Sequence, residues 1–160
     1  MEEKLHKKKP FARTILLFLL LFQALSGLIG GLGLILNPGG DVIQIPLSLL
    51  GSSPFDNYLI PGLILFLLLG VYPFIVFYAL IKKPEWKLFS VINIYKDRFW
   101  GWTGSLYTGI ILILWIDFEI LFIGFYTFLY LQTVYGFLGV LILIVTLMPS
   151  VQNYYIENNK

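Results

Sequence analysis

The sequence predicts an all-α fold, an integral membrane four-helix bundle formed by a single domain of residues 1–160. The first observation behind this prediction is composition, because 58% of the 160 residues are hydrophobic and only 12% are charged. A soluble domain carries about 25% charged residues. The second observation is a set of four apolar runs. Each has close to the roughly 20 residues that a helix needs to cross the hydrocarbon core of a bilayer.

The predicted spans cover residues 14–36, 58–81, 101–124 and 128–148. Few residues separate the third span from the fourth. We therefore expect a tight antiparallel hairpin that turns near Tyr126 and Thr127. The chain has no cysteine, which excludes disulfides, thiolate nucleophiles and cysteine-ligated metals.

The distribution of cations predicts the orientation of the spans. Of the eleven Lys and Arg residues, five precede span 1, five lie between spans 2 and 3, and one is Lys160. Cations concentrate in cytoplasmic loops. We therefore expect a multi-pass protein of the cell (inner) membrane with both termini in the cytoplasm (N-in, C-in). The lipid bilayer is an expected partner, and nucleic acid is not, because no folded soluble domain presents a basic face.

Span 1 places a polar residue and three small residues at helical spacing on one face: Gln23, Gly27, Gly30 and Gly31. Small residues let helix backbones approach closely in lipid. We interpret this face as a helix-packing surface, with a ligand groove as the alternative. The apolar run continues well past Ser26, which favours a retained helix over a cleaved signal peptide.

The loop between spans 1 and 2 contains a second apolar stretch, Val42–Leu50. It is too short to cross a bilayer, so we expect a short interfacial segment or one tucked into the mouth of the bundle. After it, Ser53, Pro54 and Asp56 form a pattern typical of a helix start, with Ser53 as the N-cap. Within span 2, Pro73 predicts a static kink, and a hinge is the alternative.

The segment between spans 2 and 3 combines cations with tryptophan, a residue that prefers the headgroup layer of a membrane. We therefore predict that it lies on the membrane surface and contacts anionic lipid, with docking of a partner protein as the alternative. The predicted membrane-interface residues are Lys82, Lys83, Trp86, Lys87, Trp100 and Trp102.

Span 3 is unusual because it carries two carboxylates, Asp117 and Glu119. Charged residues inside a membrane usually face the bundle interior or water. Residues two apart on a helix point about 200° apart, so the two carboxylates cannot face one substrate together. Glu119 shares its face with Ser105 and Thr108. We therefore expect Glu119 to face the bundle and Asp117 to meet a different neighbour.

Span 4 begins with two polar residues, Gln132 and Thr133, at about the depth of Glu119. Gln132 continues into Gly136 and Gly139 on one helix face, which we interpret as a helix-packing surface. Gln132 and Thr133 are candidate hydrogen-bond partners of Glu119, and Gln23 of span 1 could join them. A neutral Glu119 donating to Gln132 would be a structural feature, whereas a titrating Glu119 would be a proton or cation site. Both interpretations stay open.

The sequence contains none of the common catalytic or cofactor motifs, such as HExxH, GxSxG or a P-loop. The glycines at positions 30–33 lie in an apolar helix and do not follow a strand, so they do not form a phosphate-binding loop. We expect no cofactor, no metal and no catalytic residue. The single histidine, His6, is expected to be a solvated residue of the basic head.

Four strings carry a resemblance to known proteins: SLLGSSPFDNYLIPG from Ser48, KDRFWGWTGSLYTG from Lys96, IDFEILFIG from Ile116 and LMPSVQNYY from Leu147. They are similar to an uncharacterised family of small four-transmembrane-helix bacterial membrane proteins. The likeness covers most of the chain and implies no activity. Small multidrug exporters also have four spans, but their membrane glutamate lies in the first helix, and span 1 here has no acidic residue.

These observations lead to three functional hypotheses. The first is an accessory or interaction subunit of a membrane assembly, whose partners are other membrane subunits or a second copy. The second is a proton- or cation-coupled small transporter, or a binder of a hydrophobic small molecule, centred on Glu119. The third is an intramembrane enzyme, which is the least supported because no nucleophile and base are visible.

Overall fold

The computed structural model describes residues 8–125 and 130–157, and the elements in these ranges are helical. His6, the predicted turn at Tyr126 and Thr127, and residues 128–129 of predicted span 4 lie outside the described residues. The α-helices are α1 (Phe11–Leu36), α2 (Leu59–Phe66), α3 (Tyr72–Lys82), α4 (Lys87–Val91), α5 (Trp100–Ile123), α6 (Leu131–Leu147) and α7 (Pro149–Tyr154). A 3-10 helix (Leu47–Ser52) precedes α2, and a π-helical turn (Leu67–Val71) joins α2 to α3. The all-α prediction is confirmed.

Three helical stretches are long and apolar enough to cross a membrane: Phe11–Leu36, Leu59–Lys82 and Trp100–Ile123. Apolar side chains also cover their outer surfaces, and Phe18 and Leu114 are 69% and 60% exposed. Such a surface suits lipid contact better than water. Helix α6 is apolar but has only 17 residues, which corresponds to roughly 26 Å. The arrangement is compatible with the predicted bundle, and the count of four spans stays a prediction.

Helix α1 packs against the α2–α3 stretch through glycines on both sides. A Cβ added at Gly27 would overlap the carbonyl of Leu69, and one added at Gly31 would lie 2.5 Å from the Phe66 nitrogen. On the other side, a Cβ at Gly70 would lie 2.8 Å from the Leu28 nitrogen. The two backbones therefore touch directly, which is the close approach that small residues permit in membrane helices.

Helices α5 and α6 pack antiparallel along their length. Gly109 faces Leu143 and Gly139, and a Cβ at Gly139 would lie 2.8 Å from Ile113 Cγ1. Further toward the end of α5, Ile116 lies opposite Gly136, where the corresponding distance is 3.8 Å. Gly139 is thus a position of close contact, while Gly136 has room for a small side chain.

One end of the bundle is closed by a buried hydrogen-bond cluster around Arg13. Arg13 is 7% exposed, so it lies inside the protein and not in the solvated basic head. Its Nε donates to the Tyr155 hydroxyl at 2.8 Å, and its Nη2 donates to the Leu80 carbonyl at 2.9 Å. The Tyr155 hydroxyl donates to the same Leu80 carbonyl at 2.9 Å. We call this group of three residues the Arg13 cluster.

The chain after α6 joins the Arg13 cluster to the start of α5. The Phe99 N–H donates to the Tyr155 carbonyl at 2.9 Å, and the Glu157 N–H donates to the Asp97 carbonyl at 2.9 Å. The beginning of α1, the end of α3, the beginning of α5 and the segment after α6 therefore meet at one end of the bundle.

The loop between α1 and α2 closes the opposite end. Within it, Leu50 of the 3-10 helix is 5% exposed and packs with Leu34 and Tyr58. The Tyr58 hydroxyl donates to the Pro46 carbonyl at 2.9 Å. The apolar part of this loop is therefore tucked into the mouth of the bundle, which was one of the two expected positions.

The predicted helix start at Ser53 is wrong. Helix α2 begins at Leu59. The Ser53 hydroxyl accepts a hydrogen bond from the Phe55 N–H at 3.2 Å, two residues on, and this local turn uses the oxygen that would otherwise cap a helix. The Asn57 side chain instead accepts from the Leu59 N–H at 2.9 Å, so helical structure begins one turn later than expected.

The substitution Gly27→Ala should lower the stability of the bundle, because its Cβ would overlap the Leu69 carbonyl. Overpacking of this kind costs about 1–3 kcal/mol. The free energy of unfolding can be measured by titrating SDS into mixed micelles and following helicity. Gly51→Ala is the matched control, since a Cβ there meets nothing within 4 Å. Equal stability of the two variants would contradict the close approach of α1 to α2–α3.

The substitution Tyr155→Phe should also destabilise the protein, because it leaves the buried Arg13 Nε without its acceptor. Loss of such a partner costs about 1–3 kcal/mol. Burial raises the pKa of Tyr155 to about 12, against an opposing effect of Arg13, so its hydroxyl is protonated at neutral pH and can donate to Leu80. The same SDS titration measures the loss. Tyr154→Phe, which keeps the ring that Lys83 contacts at 4.7 Å, should behave like the wild type.

Candidate binding cavity

A cavity of about 230 Å³ lies between α1, α2, α5 and α6, beneath the loop that joins α1 to α2. It is larger than the roughly 150 Å³ apolar cavity that holds benzene, and it is close to the lower limit of about 300 Å³ for ligand pockets. Most of its wall is apolar. Examples from each side are Leu34, Leu50, Leu65, Leu112 and Phe122.

Glu119 of α5 lines the cavity and is half-buried, whereas Asp117 is exposed on another face of the same helix. The separation follows from the helical geometry, because residues two apart point about 200° apart. Among the described residues of the cavity wall, Glu119 is the one Asp, Glu, Lys, Arg or His residue. The cavity is therefore an apolar space with a single carboxyl group in its wall.

Gln23 of α1 supplies a second polar group, and its orientation is set by the proline in span 2. Pro73 has no N–H, so the Leu69 carbonyl four residues before it lacks its usual helical donor. The Gln23 Nε2 donates to this carbonyl at 3.0 Å. Because the amide nitrogen must face Leu69, the amide oxygen Oε1 must point elsewhere. Gln23 is 1% exposed, and its Oε1 has no hydrogen-bond partner among the described residues.

The π-helical turn Leu67–Val71 lies directly before this proline. Turns of this kind accommodate an interruption of the α-helical hydrogen-bond ladder and are frequent at functional sites. Here the Gln23 side chain of α1 supplies the donor that Pro73 lacks. The carbonyl left free at the predicted kink therefore has a defined hydrogen-bond donor.

Trp115 lies one helical turn before Glu119 on α5 and also lines the cavity. Its indole N–H contacts the Glu119 carboxyl group. The contact falls outside standard hydrogen-bond geometry, since the buried indole nitrogen has no acceptor within the described chain. Two residues of the cavity wall therefore each have a buried polar atom with no hydrogen-bond partner among the described residues. These atoms are the acceptor Oε1 of Gln23 and the donor Nε1 of Trp115.

The two polar residues predicted at the start of span 4, Gln132 and Thr133, lie in different surroundings. Gln132 is 6% exposed and lines the cavity, and its Nε2 donates to the Gly124 carbonyl at 3.2 Å. Thr133 is exposed and does not belong to the wall. The structure therefore brings Gln23, Glu119 and Gln132 to one cavity and leaves Asp117 and Thr133 outside it.

The glycines of span 1 contribute to the cavity wall and to the helix contact. Gly27 and Gly30 line the cavity, and Gly27 and Gly31 also pack against Leu69 and Phe66. The sequence left open whether this face packs helices or forms a ligand groove. In the structure one part of this face packs against α2–α3 and an adjacent part lines the cavity, and the ligand groove stays a prediction.

The predicted membrane-interface residues differ in their surroundings. The lysines Lys82, Lys83 and Lys87 are exposed. Trp86 is 40% exposed, whereas Trp100 and Trp102 are 6% and 1% exposed. The prediction that all three rings lie in the headgroup layer is therefore wrong for the last two, whose rings lie inside the protein.

The indole nitrogens of the two buried tryptophans explain their position. Trp100 donates to the Pro84 carbonyl at 2.9 Å, and Trp102 donates to the Thr146 carbonyl at 2.9 Å. Arg98 also lies over the Trp102 ring, with 4.5 Å between its guanidinium carbon and the ring centroid. Each ring is thus anchored within the bundle end that holds the Arg13 cluster.

Sequence reasoning missed two parts of the site. The first is Trp115, whose position four residues before Glu119 on the same helix was a usable signal. The second is the part of the α1–α2 loop that follows its apolar stretch, from which Ser53, Phe55 and Tyr58 reach the wall. The sequence predicts a place in the bundle mouth only for Val42–Leu50, as one of two alternatives, because the later contacts depend on how the chain folds back over the bundle.

The described wall of the cavity offers groups suited to binding. Within residues 8–125 and 130–157, no three His, Cys, Asp or Glu side chains are close enough to hold a metal ion. The polar groups of the wall are a carboxyl group, two amides, hydroxyls and an indole, and no pair of them forms an activated nucleophile and its base.

Comparisons with protein-family models, with curated proteins and with solved structures found no match. The family resemblance seen in the sequence therefore stays a prediction.

Proposed function

We propose that the chain is a multi-pass membrane protein that binds a hydrophobic small molecule in the cavity at Glu119. The observation that carries this proposal is the cavity itself, an apolar space of about 230 Å³ with the Glu119 carboxyl group in its wall.

The composition of the wall supports the same proposal. Binding sites for small molecules are apolar concavities with a few convergent polar groups, and this cavity combines leucine and phenylalanine side chains with Gln23, Glu119 and Gln132. Ionisable residues within membrane helices are costly and are often functional. Binding is the step that the geometry supports; transport coupled to it is a further hypothesis.

The accessory-subunit role stays a prediction. It requires a surface that a partner would cover, and the exposed apolar side chains of α1, α5 and α6 are also what lipid contact requires. The intramembrane enzyme has the least support, because the cavity wall offers no nucleophile and base.

We also propose four spans with both termini in the cytoplasm. The support is the position of the Arg13 cluster, which holds the start of α1 and the segment after α6 at one end of the bundle. The exposed Lys82 and Lys83 lie at the C-terminal end of α3, at that same end of the bundle. The opposite loop contains Asp41 and Asp56 and no cation, as the positive-inside rule requires of an external loop.

Cysteine labelling tests this topology, because the chain has no cysteine of its own. The exposed serines Ser52, Ser90 and Ser150 provide one site in each relevant segment. A membrane-impermeant maleimide should label S52C in intact cells, and S90C and S150C only after permeabilisation. Labelling of S150C together with S52C in intact cells would indicate three spans. Labelling of S90C and S150C, but not of S52C, in intact cells would indicate four spans in the reverse orientation.

Ligand binding can be tested in nanodiscs with a long-chain bromoalkanol, because bromine quenches the fluorescence of nearby indoles. We expect saturable quenching that disappears in Trp115→Phe. Gly30→Leu should weaken binding at least tenfold, since Gly30 lines the cavity and its Cβ would meet only the flexible end of Leu65 at 3.3 Å. Gly51→Leu, in open space, is the control. Quenching that is linear in probe concentration and equal in all variants would rule out a binding cavity.

A further inference from the structure

We infer that residues 86–95, between α3 and α5, insert an apolar stripe into the lipid leaflet at the end of the bundle that holds the Arg13 cluster, and that the lysines beside this stripe bind anionic phospholipid. We call these residues the 86–95 segment. All of them are described, and none lines the cavity at Glu119. The sequence left lipid and a partner protein open as occupants of this surface, and its position, faces, backbone and charge favour lipid.

The 86–95 segment contacts two membrane-crossing helices along their sides. The Trp86 ring stacks on Tyr78, four residues before the end of α3, at 6.0 Å between centroids. The Ile92 carbonyl accepts a hydrogen bond at 2.9 Å from the hydroxyl of Tyr107, seven residues after the start of α5. At the rise of an α-helix, these two positions are about 6 and about 10 Å from the helix ends. Amphipathic helices lie at a similar depth, about 5–10 Å into the boundary between headgroups and acyl chains.

Helix α4 gives this segment an exposed apolar stripe. Leu88, Val91 and Ile92 follow the i, i+3, i+4 spacing of one helix face, and they are 76%, 76% and 50% exposed. Phe89 is directed toward the protein, where its ring stacks on that of the first residue of α5 at 4.6 Å. Ser90 is two residues from Leu88, so the two side chains point about 200° apart. One side of α4 is therefore apolar and exposed, and the opposite side carries the exposed Ser90.

Two carbonyl groups at the end of α4 accept hydrogen bonds from side chains. The Ser90 carbonyl accepts from the Lys96 ammonium group at 3.2 Å, and the Ile92 carbonyl accepts from Tyr107. Backbone outside a long helix can bond to water in the aqueous phase, whereas near hydrocarbon it needs partners from the protein. These side-chain donors therefore favour a position at the membrane interface.

Lysines flank the stripe. Residues 82–98 contain five cations and two acidic residues. Lys87 and Lys96 are exposed, and neither has an acidic partner among the described residues. Lys87 lies four residues before Val91, so its long side chain can extend from the apolar face to the headgroup layer. Lysines near a membrane surface are attracted to anionic lipid, and these two therefore favour anionic over zwitterionic lipid.

A partner protein fits the position of the stripe less well than lipid does. Phe74, Tyr78 and Ile81 share one exposed face of α3 at helical spacing. Because Trp86 stacks on Tyr78, the 86–95 segment adjoins the surface that faces lipid in the proposed span 2. A protein that covered the stripe would have to enter the same layer and displace lipid from this surface as well.

The depth of the stripe can be measured with a nitroxide label on the full chain in nanodiscs, because the chain has no cysteine of its own. At L88C and V91C, oxygen dissolved in the bilayer should relax the label more strongly than a water-soluble nickel chelate. At S90C, the matched control on the opposite side of α4, the order should reverse. Stronger relaxation by the nickel chelate at all three positions would place the stripe in water, free for a partner protein, and would overturn the inference.

A fluorophore at V91C tests the class of lipid, because brominated lipids quench a fluorophore that they contact. Quenching by brominated phosphatidylglycerol should exceed quenching by brominated phosphatidylcholine at equal mole fraction, with a local enrichment of about threefold. The enrichment should disappear when Lys87→Gln and Lys96→Gln are combined. A fluorophore at I60C, exposed at the opposite end of span 2, is the control and should show none. Equal quenching by the two lipids at V91C, or enrichment that persists without the two lysines, would overturn the binding of anionic phospholipid by these lysines.

Discussion

The structure depends on one requirement, that every backbone polar group inside a bilayer be satisfied within the protein. Pro73 breaks this condition in span 2, because it leaves the Leu69 carbonyl without its helical donor. The π-helical turn Leu67–Val71 widens the helix at that point, and Gln23 of α1 donates to the exposed carbonyl at 3.0 Å. This hydrogen bond can form only because Gly27 and Gly70 let the two backbones touch. The glycines, the proline and the glutamine are therefore parts of one arrangement.

A consequence of this arrangement is that one polar atom lacks a partner. The amide of Gln23 has a donor and an acceptor, and the helix contact uses the donor. The acceptor is buried and has no hydrogen-bond partner among the described residues. The residue that supports the interrupted helix thus lies among the residues that line the cavity.

The sequence was sufficient for features that depend on helical period and insufficient for those that depend on tertiary contacts. Helical spacing alone separates Asp117 from Glu119, and composition alone predicts the apolar helices. Arg13 could not be placed from the sequence, because its burial depends on Tyr155 at the far end of the chain. For the same reason Trp102 was expected at the membrane surface, although the Thr146 carbonyl holds it inside the bundle. In each case a long side chain with a polar tip has two suitable environments, and only the fold decides between them.

The two ends of the bundle are closed by different interactions, and this difference explains why the cavity lies where it does. At one end, Arg13 and Tyr155 join α1, α3 and the segment after α6 through buried hydrogen bonds, with distances of 2.8–2.9 Å. Such bonds are expensive to break in a place that water does not reach. At the other end, a loop covers the cavity with the buried side chain of Leu50 and the hydrogen bond from Tyr58 to Pro46. Regions with few buried contacts open at lower free energy than a packed core. The end closed by the loop is therefore expected to open at lower free energy than the end held by the Arg13 cluster.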